Sequence, residues 1–240
     1  MKVFITGSSD GLGQLAAMKL IKQGHQVILH ARNSARAQQT LNKIPSAEKI
    51  LIADLSSIEE TKKLAEEVNT LEPMDAIIHN AGINRSSSEQ IFKVNCLAPY
   101  ILTSLIEKPK RLIYIGSGMH SHATPNFQNL DHGTGYSESK LYLVMLSLAV
   151  ARKWPGTYSN TVNPGWVPTK MGGSGASDDL QKGIDSQVWL AVSNDVKAKV
   201  SGKYFYHLKE TQYNKIADDI SLQDKFLDIC GQISGVQFPD

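Results

Sequence analysis

The chain has 240 residues, 41% hydrophobic and 20% charged, with 18 glycines and 9 prolines. That composition suits one globular domain over 1–240 and excludes collagen-like, mucin-like and largely disordered chains. A formal charge of +2 with no basic stripe gives no footprint for nucleic acid.

Cys96 and Cys230 match no metal-ligand spacing, so the expectation is a reduced, cytoplasmic protein without a metal site. The first apolar run, Val3 to Ile5, meets a glycine turn at once, and the longest later one, Leu141 to Val150, is too short to cross a bilayer. No transmembrane segment is expected.

Strand-like and helix-like segments alternate along the chain. Lys2 to Thr6 reads as a strand, followed by Leu12, Leu15, Ala16, Leu20 and Ile21 at helical spacing until Gly24. Strand Gln26–His30, helix Ala35–Leu41, strand Lys49–Ala53 and helix Ser57–Val68 follow, with Ser57 and Glu60 spaced as a capping box. Next come strand Ala76–His79, helix Gln90–Ile106 and strand Arg111–Ile115. After a long loop, Gly116 to Gly135, the order is helix Tyr136–Lys153, strand Ser159–Asn163, helix Asp179–Ser193 and strand Lys203–His207. Short unbroken strands separated by helices predict a doubly wound α/β fold of the Rossmann type: three layers around a mostly parallel seven-stranded sheet. The tail, 208–240, is weakly patterned and is expected either to cap the sheet or to pack over the active site.

Between the first strand and first helix stands Thr6-Gly7-Ser8-Ser9-Asp10-Gly11-Leu12-Gly13. Gly7 permits a tight turn, Gly11 a close approach of backbone to a pyrophosphate, and Gly13 close helix–strand packing, while the helix N-terminus offers free N–H groups. No Gly-Lys-Ser/Thr follows, which argues against ATPase or GTPase chemistry. Ser9, Asp10 and Leu12 complete the expected wall of a dinucleotide site. At the end of the second strand, His30-Ala31-Arg32-Asn33 contains no acid to hold a free ribose hydroxyl. Arg32 suits a 2′-phosphate, with Asn33 or Ser34 adding a hydrogen bond, so NADP(H) is expected in preference to NAD(H). Asp54 and Leu55 after the third strand, and Asn80-Ala81-Gly82 after the fourth, extend the same wall.

Tyr136 and Lys140 lie one turn apart on a helix, where a lysine cation favours the phenolate. Ser117, at the end of the fifth strand, is placed to hydrogen-bond a carbonyl or alcohol oxygen. These motifs, in this order, resemble the short-chain dehydrogenase/reductase family of the classical type, and the likeness runs to about Tyr206. It implies hydride transfer between a nicotinamide and a carbonyl or alcohol carbon of a small-molecule substrate. In that mechanism Tyr136 exchanges the proton, Ser117 positions the oxygen, and Lys140 holds the nicotinamide ribose. Asn95 belongs to a proton relay from Lys140, and the segment Pro164, Gly165, Trp166, Val167 to Thr169 meets the cofactor. Met119 and Trp166 join Ser117 and Tyr136 as expected substrate contacts, with 165–182 as a substrate loop whose glycines suit a lid.

The Ser117-to-Tyr136 interval is long for the family's compact members, and Asn95 to Ser117 is short. A truncated helix at Leu97 to Ile106 departs from the family's usual dimer interface, so a monomer or homodimer is expected rather than a tetramer. Two other readings share the fold: a non-catalytic NADP(H)-binding regulator or redox sensor, and an epimerase, dehydratase or lyase. The first would have lost Tyr136 or Lys140, and the second generally needs a larger carboxyl-terminal domain.

Overall fold

A computed structural model describes residues 1–239. Among these, β1 (Lys2–Ile5), β2 (Gln26–Ala31), β3 (Lys49–Ile52), β4 (Ala76–His79), β5 (Arg111–Ile115), β6 (Tyr158–Asn163), β7 (Lys203–Tyr206) and β8 (Lys209–Glu210) form one sheet in the order β3-β2-β1-β4-β5-β6-β7-β8. All pairs are parallel except β7 with β8. The expected seven strands are present, and β8 is an addition. It arises because His207 and Leu208 adopt left-handed φ values of 46° and 66°, making a two-residue hairpin that ends β7 at Tyr206 rather than His207.

Helices cover both faces: α1 (Gly11–Lys22), α2 (Ser34–Lys43) and α7 (Leu180–Val192) on one, and α3 (Ile58–Asn69), α5 (Ala98–Leu105) and α6 (Tyr136–Lys153) on the other. β1, β4 and β5 are buried along their whole length, which is why their sequences are apolar apart from Lys2, His79 and Arg111 at their ends. The order reverses between β1 and β4, and the crevice opens at the carboxyl ends of the strands there.

Three local features differ from the sequence reading. Ser57 does cap α3 by accepting from the Glu60 N–H, but the Glu60 carboxylate turns to the Asp54 N–H at 2.8 Å, so the capping box is only half formed. The expected helix Gln90–Ile106 is three pieces: α4 (Ser88–Phe92), a π-helical turn (Lys93–Leu97) and α5. Pro99 is the cause we identify. It has no N–H for the Asn95 carbonyl, and the ladder widens just before it, with the Ala98 N–H reaching Lys93 O. The tail folds into α8 (Ile220–Ser234), which packs on α6 through stacked Tyr142 and Phe226, 5.0 Å apart, and receives the Tyr100 hydroxyl at Val236 O. It therefore covers the α5–α6 face and not the crevice; its last residue lies outside the described residues.

Candidate active site

A cleft of about 1070 Å³ runs along the carboxyl ends of the strands. Its wall includes Gly7, Ser9, Asp10, Gly11, Leu12, Arg32, Asp54, Leu55, Asn80, Ala81 and Gly82 at one side. Ser117, Met119, Tyr136, Lys140, Pro164, Gly165, Trp166, Val167 and Thr169 lie at the other. Twenty of the residues named from sequence thus meet in one space. Three do not line it: Gly13, Asn33 and Asn95.

The glycine turn explains the first of these. Gly7 and Gly11 take φ of 63° and 54°, a region that disfavours side chains, and a Cβ at Gly7 would come within 2.8 Å of Ala81 Cα. A Cβ at Gly13 would lie 2.4 Å from Asn80 Nδ2 and 2.8 Å from Gly7 O. Gly13 is therefore a packing residue. Asn80 donates to Thr6 O at 3.0 Å and Gly7 O at 3.1 Å, tying β4 to the turn. The sequence reading missed His30. Its Nδ1 accepts from Gly7 N at 2.9 Å and its Nε2 donates to Ala53 O at 3.0 Å, so the buried neutral ring bolts the turn to the chain after β3. Burial holds its pKa down to about 4.

Asn33 does not join the cleft wall, because its side chain caps α2 by accepting from the Arg36 N–H at 3.0 Å. Arg36 lines the cleft instead. Arg32 also lines it and has no side-chain partner among the described residues. Asp10 caps α1 through Gly11 N at 2.9 Å and pairs with Lys170 at 2.5 Å and Arg36 at 3.8 Å. The Lys170 hydrogen bond holds the Asp10 carboxyl below its ordinary range. An acid placed where an anion would lie is thus answered by two cations from elsewhere in the chain, and with Arg32 this end keeps positive charge. Asp54 bonds Ser56 through its N–H at 3.0 Å and hydroxyl at 2.8 Å.

At the other end, Tyr136 opens α6 and lines the cleft together with Ser117, whose hydroxyl accepts from the Met119 N–H at 3.3 Å. Burial raises the phenol's pKa above its ordinary value, and the nearby Ser117 hydroxyl offsets this only in part. The sequence reading expects a lowered phenol beside Lys140; in the structure burial holds the phenol above its ordinary range, and the Lys140 ammonium sits 5.5 Å from the ring centroid. Lys140 is buried, donates to Ile115 O at 2.8 Å, and is pushed down to about 8 by loss of solvation. Asn95, inside the π turn, is fully buried. It accepts from Ile83 N at 2.8 Å and donates to Ile83 O at 2.9 Å and Ser139 Oγ at 3.0 Å, joining the β4 loop to α6. A Cβ at Gly82 would lie 3.3 Å from Lys140 Nζ and 3.5 Å from Asn95 Oδ1, so Asn95 stands behind Lys140.

Trp166 is exposed at the mouth. Its backbone N–H donates to Asp178 at 2.6 Å and its indole to Gly172 O at 2.9 Å, bracing the glycine-rich segment. Thr169 brings that segment across the turn, 3.8 Å from where a Gly11 Cβ would be. No cluster of three potential metal ligands and no helix long and apolar enough to cross a membrane occurs among the described residues.

The profile of the family described as short chain dehydrogenase matches residues 1–179. An oxidoreductase of Emericella nidulans is 42% identical, covering 100% of this chain and 99% of its own. Short-chain dehydrogenase chyC of Penicillium rubens is 39% identical over 99% of each chain. Among solved structures, the complex of Pseudomonas aeruginosa RhlG with NADP superposes with a TM-score of 0.70 at 21% identity, covering 85% of this chain and 93% of its own.

Proposed function

This chain belongs to the short-chain dehydrogenase family of oxidoreductases, and on that premise we propose that it is an NADPH-dependent reductase of aldehydes or ketones, working reversibly at Ser117, Tyr136 and Lys140. The observation that carries the reading is the half-buried Tyr136 phenol sharing the cleft wall with Ser117 and followed one turn on by a buried lysine. The fit to a dinucleotide rests on the glycine cradle at Gly7 and Gly11, the N-terminus of α1, and the unpartnered Arg32 at the far end of the cleft. Such a group supplies the hydride when bound.

The chain's own residues supply the rest. Ser117 donates to the carbonyl oxygen and draws off the charge that develops there. Tyr136 passes its phenolic proton to that oxygen as general acid. Lys140 places a cation beside the resulting phenolate, and Asn95 holds the loop against which Lys140 packs. Arg32 reads the 2′-phosphate by charge-assisted hydrogen bonds, with Arg36 beside it. Met119, Trp166 and Met171 are exposed apolar groups around the mouth, which favours a hydrophobic carbonyl compound. The name retinol dehydrogenase 14, carried by a human relative 28% identical over 98% of this chain, points the same way.

The test is a screen of hydrophobic aldehydes and ketones with NADPH, comparing wild type with Tyr136→Phe. The substitution should leave NADPH binding intact and lower kcat/KM by a factor on the order of 10² or more. Unchanged turnover would remove Tyr136 from the mechanism, and tight NADPH binding with no turnover of any carbonyl would favour the regulator or sensor reading.

A further inference from the structure

Behind Ser117 lies an arrangement that the reaction as described does not use. His120 lies in the Gly116–Gly135 loop, yet it is 1% exposed and outside the cleft wall. Its Nδ1 is 2.7 Å from the Ser117 carbonyl oxygen and its Nε2 is 3.2 Å from the Asn214 backbone nitrogen. A carbonyl oxygen only accepts and a backbone N–H only donates, so these partners fix the ring as neutral with its proton on Nδ1. Loss of solvation also holds the imidazole below its ordinary range, which keeps it in that form at neutral pH.

Both ends of this bridge are anchored. Asn214, in the tail, donates its side-chain amide to His120 O at 3.3 Å and Ala123 O at 2.8 Å. The Tyr204 ring lies 4.7 Å from the imidazole, and a Cβ at Gly116 would sit 3.4 Å from Tyr204 Cε2, so the ring packs against the backbone that leads into Ser117. The imidazole is thus held by a donor, an acceptor and a ring face, and its one proton goes to Ser117, which shares the cleft wall with Tyr136.

We propose that His120 is a positioning residue for the reaction: its Nδ1–H holds the Ser117 carbonyl and thereby aims the Ser117 hydroxyl at the Tyr136 phenol, while Nε2 ties that aim to the seat of the tail at Asn214. The proposal rests on the reading of Ser117 and Tyr136 given above. It assigns the 208–240 tail a part in the site, although α8 itself lies on the far side of α6.

Two substitutions separate the ring's two nitrogens. In His120→Asn the amide nitrogen takes the place of Nδ1 and the donor to Ser117 survives. In His120→Gln the amide oxygen takes the place of Nε2, the acceptor for Asn214 survives and the donor is lost. Each is measured for thermal midpoint, NADPH affinity, and kcat with a carbonyl compound that wild type reduces. Tyr136 ionisation is followed by tyrosinate absorbance referenced to Tyr136→Phe. The Asn variant should retain most of wild-type kcat. The Gln variant should lose kcat by about 10-fold or more at unchanged NADPH affinity, with the Tyr136 pKa raised further because the Ser117 hydroxyl that lowers it is misdirected. Any pattern in which the two variants behave alike, including joint loss of activity and thermal stability, overturns the proposal. Should wild type reduce no carbonyl, the functional reading fails, and the tyrosinate titration still decides the role of His120.

Discussion

The Tyr136 phenol lies above its ordinary pKa because burial, which keeps it protonated, outweighs the nearby Ser117 hydroxyl, which favours its ionised form. Removing the second leaves the first alone. Ser117→Ala should raise the Tyr136 pKa and lower kcat by a factor on the order of 10²; a pH–rate profile with an unmoved limb would show that Ser117 does not act on the phenol. At the other end of the cleft, Arg32→Ala should weaken NADPH by about 10-fold or more while leaving NADH nearly unchanged, since one charge-assisted contact is worth about 1.5–3 kcal/mol. Equal losses for the two nucleotides would place Arg32 outside 2′-phosphate recognition. Lys140 carries a cost of its own. Its pKa is depressed from an ordinary 10.5 to about 8, so the folded state holds its proton less tightly than the unfolded chain. That penalty is full below pH 8 and disappears as the pH rises toward 10.5. Lys140→Met should therefore raise stability at pH 7 by about 1–3 kcal/mol while abolishing turnover, as chemical denaturation and assay would show.

Among the elements, the junction of β1 and α1 depends most on residue size. Gly13→Ala sets a methyl against Asn80 and Gly7 O, both fixed by the hydrogen bonds between them, and should cost about 1–3 kcal/mol with loss of nucleotide binding. Retained binding at wild-type affinity would mean that the junction yields. This part of the site is legible in the sequence because each glycine has one geometric reason to be there. The alternation of strands and helices is equally legible, since most of the buried parallel strands are dominated by apolar residues, β6 with its buried Ser159, Asn160 and Thr161 being the exception. What the sequence does not disclose is long-range pairing. His30 could not be read as the acceptor for Gly7, nor His120 as the donor to Ser117, because each bond joins segments brought together only by the sheet. Asn33 carries a signal with two readings, since a residue that precedes a helix suits an N-cap as well as a phosphate, and in the structure its side chain caps α2. The π turn also has a visible cause in the spacing from Asn95 to Pro99.

For the molecule as a whole, α8 bears on assembly. It packs its Phe226, Leu227 and Cys230 into the core beside Tyr100 and Tyr142, over the α5–α6 face. That is the surface through which the resemblance places the family's dimer contact, so sedimentation should give a monomer, or a dimer formed elsewhere, and no tetramer. A tetramer would show that α8 leaves the face or that another surface suffices. Buried histidines set the acid limb of stability. His30 and His79 are held near 4 and 3 by loss of solvation, below the unfolded value near 6.5. The unfolded chain takes up protons first, so stability is whole above about pH 6.5 and falls as the pH drops toward 4, by up to about 1.4 kcal/mol per pH unit for each ring. In His79→Leu, denaturation measured between pH 6.5 and 5 should show a shallower slope, and an unchanged slope would contradict the assignment.

The central claim is that one cleft joins a reader of the 2′-phosphate to a proton donor for a carbonyl oxygen. Calorimetric titration of the protein with NADPH and NADH in parallel tests it most directly. The account expects one NADPH per chain, bound at least about 10-fold more tightly than NADH. Binding of neither nucleotide, or equal affinity for both, would contradict it.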